Sequence, residues 1–222
     1  MEMQFRNRID AGRLLAKKLD AYADRSDVIV LALPRGGVPV GYEVAKALNA
    51  PLDVFLCRKL GVPGHEELAM GAIASGGVRV LNDQVVSYLG ISDQVIDLVA
   101  REEQRELERR EKLYRGNEKP LDVREHIVIL VDDGLATGST MRAAATALKR
   151  QQPKQIIVAA PVAARETCDS FKADVDSTCV CVMSSEPFDG VGRWYRDFSQ
   201  TTDEEVCYLL KHAKQPARRL VA

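Results

Sequence analysis

The chain has 222 residues, 46% of them apolar, with 31 basic and 32 acidic side chains and a formal net charge of −1. That length suits one sizeable core, and the near-neutral balance supplies no global field to attract nucleic acid or an anionic membrane. There is no signal-peptide-like apolar core at the N-terminus and no apolar run approaching about 20 residues, so the expectation is a cytoplasmic protein without membrane spans.

In chain order, Asp10–Ala23 reads as a helix with Leu14, Leu15 and Leu19 on one side. Val28–Leu33 follows as a strand, Val38–Leu48 as a helix and Leu52–Cys57 as a strand. Arg58–Met70 mixes Gly, Pro and charge without periodicity and reads as a loop; Gly71–Ala74 and Val78–Leu81 form a hairpin across Ser75-Gly76-Gly77. Ser92–Arg115 is a highly charged helix opened by an N-cap serine, with Glu106/Arg110, Glu108/Lys112 and Glu111/Arg115 at i,i+4. Its narrow stripe of Val95, Val99, Leu107 and Tyr114 packs either on the sheet, the favoured reading, or on a second subunit, which leaves a homodimer open. Later strands are Ile127–Val131, Gln155–Ala160 and Thr178–Met183, with helices near Met141–Arg150, Arg165–Ala173 and Asp203–Ala213. Alternating strands and helices of this kind give an α/β fold with a mostly parallel central sheet flanked by helices. One domain is expected over 1–222, its core about 25–200, with a C-terminal helix and basic tail over 201–222. Cys57, Cys168, Cys179, Cys181 and Cys207 contain no Cys-x-x-Cys pair and have no histidine at ligand spacing, so reduced thiols are expected; Cys179 and Cys181 share a strand face as small buried hydrophobes.

The segment from Ile127 to Thr140 is the most informative. An apolar run ends in Asp132-Asp133, then Gly134-Leu135-Ala136-Thr137-Gly138-Ser139-Thr140 leads into a helix. The run suits a strand buried on both faces, which puts the carboxylates at its C-terminal end. Gly134 and Gly138 permit a tight turn, and backbone N–H groups at the helix start, with the hydroxyls of Thr137, Ser139 and Thr140, can cradle a phosphate. Ionised carboxylates beside it can accept hydrogen bonds from ribose hydroxyls or orient the water shell of a magnesium ion. A P-loop and a dinucleotide-binding turn are both excluded, because neither glycine pattern occurs.

This segment resembles the signature of the type I phosphoribosyltransferases, and the likeness extends from about Val28 to Phe198. The resemblance implies a small hood beside the sheet and a reaction in which the 5-phosphoribosyl group of 5-phosphoribosyl 1-diphosphate passes to a nitrogenous, nucleobase-like acceptor with release of diphosphate. It assigns the 5-phosphate to Leu135, Ala136, Thr137, Gly138, Ser139 and Thr140, and the ribose and Mg2+ to Asp132 and Asp133. The diphosphate falls to Arg35, Gly36 and Gly37, in a turn that often carries a non-proline cis peptide, expected here at Arg35–Gly36; an ordinary turn with Arg35 exposed is the alternative. Arg58 and Lys59 open what looks like the mobile catalytic loop, or else a solvated charged connection, and His65 within it has no assigned role. Phe188 and Trp194 lie where purine-type members line the acceptor base, although aromatic residues here also anchor a C-terminal segment to a sheet. Ala136 stands where members acting on 6-oxopurines usually place an acid, which argues against hypoxanthine and guanine. The rival reading is a non-catalytic regulatory protein that binds 5-phosphoribosyl 1-diphosphate or a nucleotide.

Overall fold

The computed structural model describes residues 4–174, 178–185 and 188–213. Its elements are α1 (Arg8–Lys18), β1 (Val28–Ala32), α2 (Gly37–Leu48), β2 (Leu52–Val54), β3 (Cys57–Val62), β4 (His65–Ala74), β5 (Val78–Leu81), α3 (Asp83–Leu89) and α4 (Asp93–Arg115). They continue with β6 (Ile127–Val131), α5 (Ser139–Lys149), β7 (Gln155–Ala164), α6 (Arg165–Asp174), β8 (Thr178–Ser185) and α7 (Asp203–Ala213). The basic tail beyond residue 213 lies outside the described residues.

Five strands form a parallel sheet in the order β2-β1-β6-β7-β8. All five residues of β1 and of β6 are buried, as continuous apolar runs in a parallel sheet require. The two-residue period divides them between two cores. Val28, Val30, Ala32, Ile127, Ile129 and Val131 meet α1, α2 and α7 on one face, while Ile29, Leu31, Val128 and Leu130 meet α5 and α6 on the other. Each such Val, Leu or Ile contributes about 1.5–3 kcal/mol by leaving water.

Beside this sheet stands a small antiparallel one, β3-β4-β5. It overturns the loop expected at Arg58–Met70. Val62 faces His65 across a two-residue turn, Pro63-Gly64, whose glycine has φ +80°, and a Pro-Gly pair is suited to a turn needing positive φ at its second centre. The alternation was hidden because the register shifts at Gly61, where a side chain would run into the backbone of Glu66. Leu60, Val62, Met70 and Ile73 of the arm join Ile96, Ala100 and Leu107 of α4 in one cluster. The apolar stripe of α4 thus covers the antiparallel arm and α7, not the parallel sheet expected for it. Of its i,i+4 pairs, Glu106–Arg110 and Glu111–Arg115 are formed.

Three other expectations change. Asn7 caps α1 by accepting from Asp10 N, so the helix begins at Arg8, two residues earlier than expected, and ends at Lys18. A short helix, α3, fits between Asn82, whose side chain accepts from Val85 N, and Gly90 at φ +60°. Cys168 and Cys179 form a disulfide between α6 and β8, against the expected reduced state; the packing of α6 on β8 brings together two residues 11 apart whose spacing carried no pairing signal. Cys181 Sγ lies 3.7 Å from Cys168 Sγ. At the edge strand β2, Arg115 Nε donates to both carboxylate oxygens of Asp53 at 3.0 and 3.1 Å, and the backbone N–H groups of Val54 and Leu121 donate to it at 2.8 and 3.3 Å.

Candidate functional site

The C-terminal ends of β1 and β6 lie side by side, so the turns that follow them meet. Asp132 N still donates to Ala159 O of β7 at 3.2 Å, which holds the first carboxylate at the rim of the sheet. Its Oδ1 accepts from Asp133 N at 2.8 Å. Asp133 Oδ2 accepts from Arg8 Nε at 2.9 Å, with both side chains largely shielded from solvent, and Asp133 O accepts from the Tyr195 hydroxyl at 2.6 Å. Burial and the neighbouring Asp133 charge raise the Asp132 carboxyl well above its ordinary range. Burial also raises that of Asp133, against the opposing pull of Arg8.

The turn after β1 locks into this pair. A methyl group on Gly36 would lie 2.7 Å from Asp133 Cγ, and one on Gly37 would lie 2.9 Å from Asp132 Cα. These glycines are needed because the acid pair occupies the space a side chain would fill. The non-proline cis peptide is present one bond upstream of its expected place, at Pro34–Arg35. Gly36 caps α2 without a side-chain acceptor, but Gly37 N donates to Leu33 O at 3.1 Å, Val38 N donates to Arg35 O at 3.0 Å and Pro39 has no N–H, so an anion here would meet the backbone of Arg35 and Gly36 ahead of the helix and not its first turn. Arg35 Nη1 is 3.9 Å from Asp203 Oδ1 at the start of α7, and Asp203 in turn accepts from the Tyr114 hydroxyl at 2.6 Å.

The second turn is anchored at Leu135. Its N donates to Val162 O and its O accepts from Ala164 N, both at 2.9 Å. Ala136, Thr137, Ser139 and Thr140 are exposed, and Gly138, at φ +67°, begins α5 with no side-chain cap. Thr137 Oγ1 accepts from Ser139 N at 3.4 Å and donates to Ser139 Oγ at 3.3 Å, long bonds that an anion at this exposed helix start could replace. Thr167 Oγ1 of α6 donates to Ala136 O at 2.6 Å, and a methyl on Gly138 would meet the Thr167 and Phe171 side chains. On the other side Val191 lies against Gly134. The loop is walled in by α6 and by the helical turn Val191–Trp194.

The antiparallel arm completes the rim. A cavity of about 580 Å³ is lined by Arg58, Lys59, Glu102, Glu103 and Thr140, and another of about 560 Å³ by Lys59, Thr137, Ser139 and Arg142. Lys59 thus lies where the arm faces the phosphate-type turn. Arg58 is ion-paired to Glu103 of α4. Glu66 accepts from Gly64 N at 3.1 Å and secures the hairpin tip beside exposed His65. Phe188 and Trp194 stack on each other with ring centres 6.2 Å apart and pack on the Phe5–Tyr195 cluster, whereas the aromatic side chains reaching Arg8 are Tyr195 and Phe198. Arg8, Thr167, Tyr195 and Asp203 were not legible as site neighbours, since none lies in a motif. Among the described residues, no group of three or more His, Cys, Asp or Glu could hold a metal alone, and no helix is long and apolar enough to cross a membrane.

A parallel sheet of this order, with two glycine turns meeting an acid pair at its C-terminal rim, is the arrangement of the type I phosphoribosyltransferase fold. The model of the phosphoribosyl transferase domain matches residues 4–189, and the chain belongs to that family. A Mycobacterium tuberculosis protein (strain H37Rv) named as a candidate phosphoribosyl transferase is 43% identical over 209 residues, 94% of this chain and 47% of its own length; its counterpart in strain CDC 1551 matches equally. This chain thus spans about half the length of those curated relatives. The crystal structure of TT1426 from Thermus thermophilus superposes with a TM-score of 0.84 at 39% identity, covering 95% of this chain and 99% of that one.

Proposed function

We propose that the protein transfers the 5-phosphoribosyl group of 5-phosphoribosyl 1-diphosphate to a small nitrogenous acceptor, releasing diphosphate. One observation carries this reading: the two glycine turns that follow β1 and β6 interlock around one acid pair, so two anionic groups and a sugar between them have matched receptors. The turn 135–140 takes the 5-phosphate, Asp132 and Asp133 the ribose hydroxyls, and the turn 35–37 with Lys59 the diphosphate. Displacement at the anomeric carbon builds oxocarbenium character on the sugar, which the adjacent carboxylates stabilise. Closure of the β3–β4 arm excludes water that would otherwise intercept that carbon.

Magnesium fits this donor set only together with substrate. The chain offers two hard carboxylates, which matches an ion held by one or two carboxylates and substrate phosphates. Bound there, it would neutralise charge on the departing diphosphate. The exposed Ala136, with no acid in its place, supports an acceptor other than a 6-oxopurine. Pairing of Arg58 with Glu103 favours the alternative of a non-catalytic binding protein, because it holds one loop cation away from the diphosphate turn.

Calorimetric titration of 5-phosphoribosyl 1-diphosphate with and without Mg2+, on the wild type and on Asp132→Asn/Asp133→Asn, tests the reading. Binding that is lost in the double variant supports it, and absence of wild-type binding sinks it. Diphosphate release on adding a panel of nitrogenous bases separates transfer from binding alone.

A further inference from the structure

Arg8 reaches the site from the first residue of α1, 125 positions from its partner. Its Nε donates to Asp133 Oδ2 at 2.9 Å and its Nη1 to Ser199 O at 2.6 Å, and its guanidinium carbon sits 4.0 Å from the centre of the Phe198 ring. A methyl on Gly36 would stand 3.3 Å from the same Nε. The side chain is only 12% exposed, as is fitting for a group held on three sides. Stability gives little reason for such an arrangement, since a shielded arginine–carboxylate pair is often no better than apolar residues of equal volume. Its location does give a reason. Three segments distant in sequence, α1, the first glycine turn and the stretch after Tyr195, converge on the Arg8–Asp133 pair.

We propose that Arg8 is a positioning residue for Asp133, holding the carboxylate over Gly36 in the orientation that receives the ribose hydroxyls of a 5-phosphoribosyl ligand. The inference rests on the proposed function and deepens it. Arg8 acts through Asp133 and does not touch the phosphate groups. A planar guanidinium, with its plane set by Phe198 and its second nitrogen tied to Ser199 O, fixes direction as well as charge, which a lysine at this position would only half reproduce.

The test uses three probes on the full chain: inorganic phosphate, ribose 5-phosphate, and 5-phosphoribosyl 1-diphosphate with Mg2+. Arg8→Met is expected to weaken both sugar phosphates alike, by about tenfold or more, because an oriented charge-assisted contact is lost. Inorganic phosphate, which reads the anion-binding turns and makes no use of a ribose contact, should stay within about twofold. Arg8→Lys should recover part of the loss, and Arg8→Met/Asp133→Asn should be no weaker than Asp133→Asn alone. Phe198→Leu, which removes the ring beneath the guanidinium and keeps an apolar side chain against Tyr195, should cost about threefold on the sugar phosphates and keeps the test available if Arg8→Met does not fold. Unchanged or tighter sugar-phosphate binding in Arg8→Met overturns the proposal while leaving the proposed function intact, and so does a parallel fall in phosphate binding. A wild type that binds phosphate but neither sugar phosphate overturns the proposed function and this inference with it.

Discussion

Gly36→Ala is the most direct probe of the interlocked turns. The new methyl would lie 2.0 Å from Asp133 Oδ2 and 2.7 Å from its Cγ, so the carboxylate must retreat by more than about 1 Å to reach ordinary van der Waals contact. Arg8 cannot readily follow, because Ser199 O and the Phe198 ring hold it. A shift of that size stretches the 2.9 Å bond from Arg8 beyond hydrogen-bonding range. Losing a charge-assisted bond of this kind costs about 1.5–3 kcal/mol, and the overpacking itself adds about 1–3 kcal/mol. Urea unfolding should therefore show a loss of about 2.5–6 kcal/mol without a change in m. The affinity for 5-phosphoribosyl 1-diphosphate should fall by about tenfold or more, since Asp133 no longer stands where the ribose needs it. Gly90→Ala is the comparator: its φ is +60° with nothing within 4 Å, so only the backbone cost of about 1–2 kcal/mol applies and ligand affinity is untouched. If Gly36→Ala loses no more stability than Gly90→Ala and binds ligand normally, the two turns are not interlocked through Asp133.

Further predictions follow from the buried and rim charges. Arg115→Met leaves the Asp53 carboxylate shielded and without a cation, served by the backbone N–H groups of Val54 and Leu121, so unfolding in urea should show a loss of about 3–5 kcal/mol. Burial raises the Asp132 carboxyl above its ordinary 3.8, so the folded state holds a proton that the unfolded chain releases; its contribution favours folding below pH 3.8 and is lost as pH rises through the folded value. Asp132→Asn, neutral throughout, should therefore melt higher than wild type at pH 7, by about 2–4 °C per kcal/mol relieved, with the gap closing below pH 3.8 in a melting series. Glu103→Gln releases Arg58 towards the diphosphate turn and should tighten calorimetric binding of inorganic diphosphate by up to about fivefold; unchanged binding would show that Arg58 plays no part there.

The strand–turn–helix from Ile127 to Arg150 was legible because its determinants are local. An apolar run, a pair of carboxylates, two glycines and three hydroxyls specify β6, its turn and the start of α5 without reference to distant residues. The same holds for the turn after β1, where only the position of the cis peptide moved by one bond. The arm was misread as a loop because its alternation breaks at Gly61, although Pro63-Gly64 carried the hairpin signal. The disulfide was not legible because Cys168 and Cys179 meet only once α6 packs on β8.

By itself, the sequence determined the parallel-sheet class, the two glycine turns and the acid pair, since each depends on residues within a few positions of one another. Tertiary structure alone decided which cation holds Asp133, that Asp203 reaches Arg35, that Gly36 and Gly37 make room for carboxylates, and that Arg58 turns to α4. Those contacts join residues about 45 to 170 positions apart, and their geometry is set by how helices settle on a twisted sheet, which periodicity within any one segment does not encode.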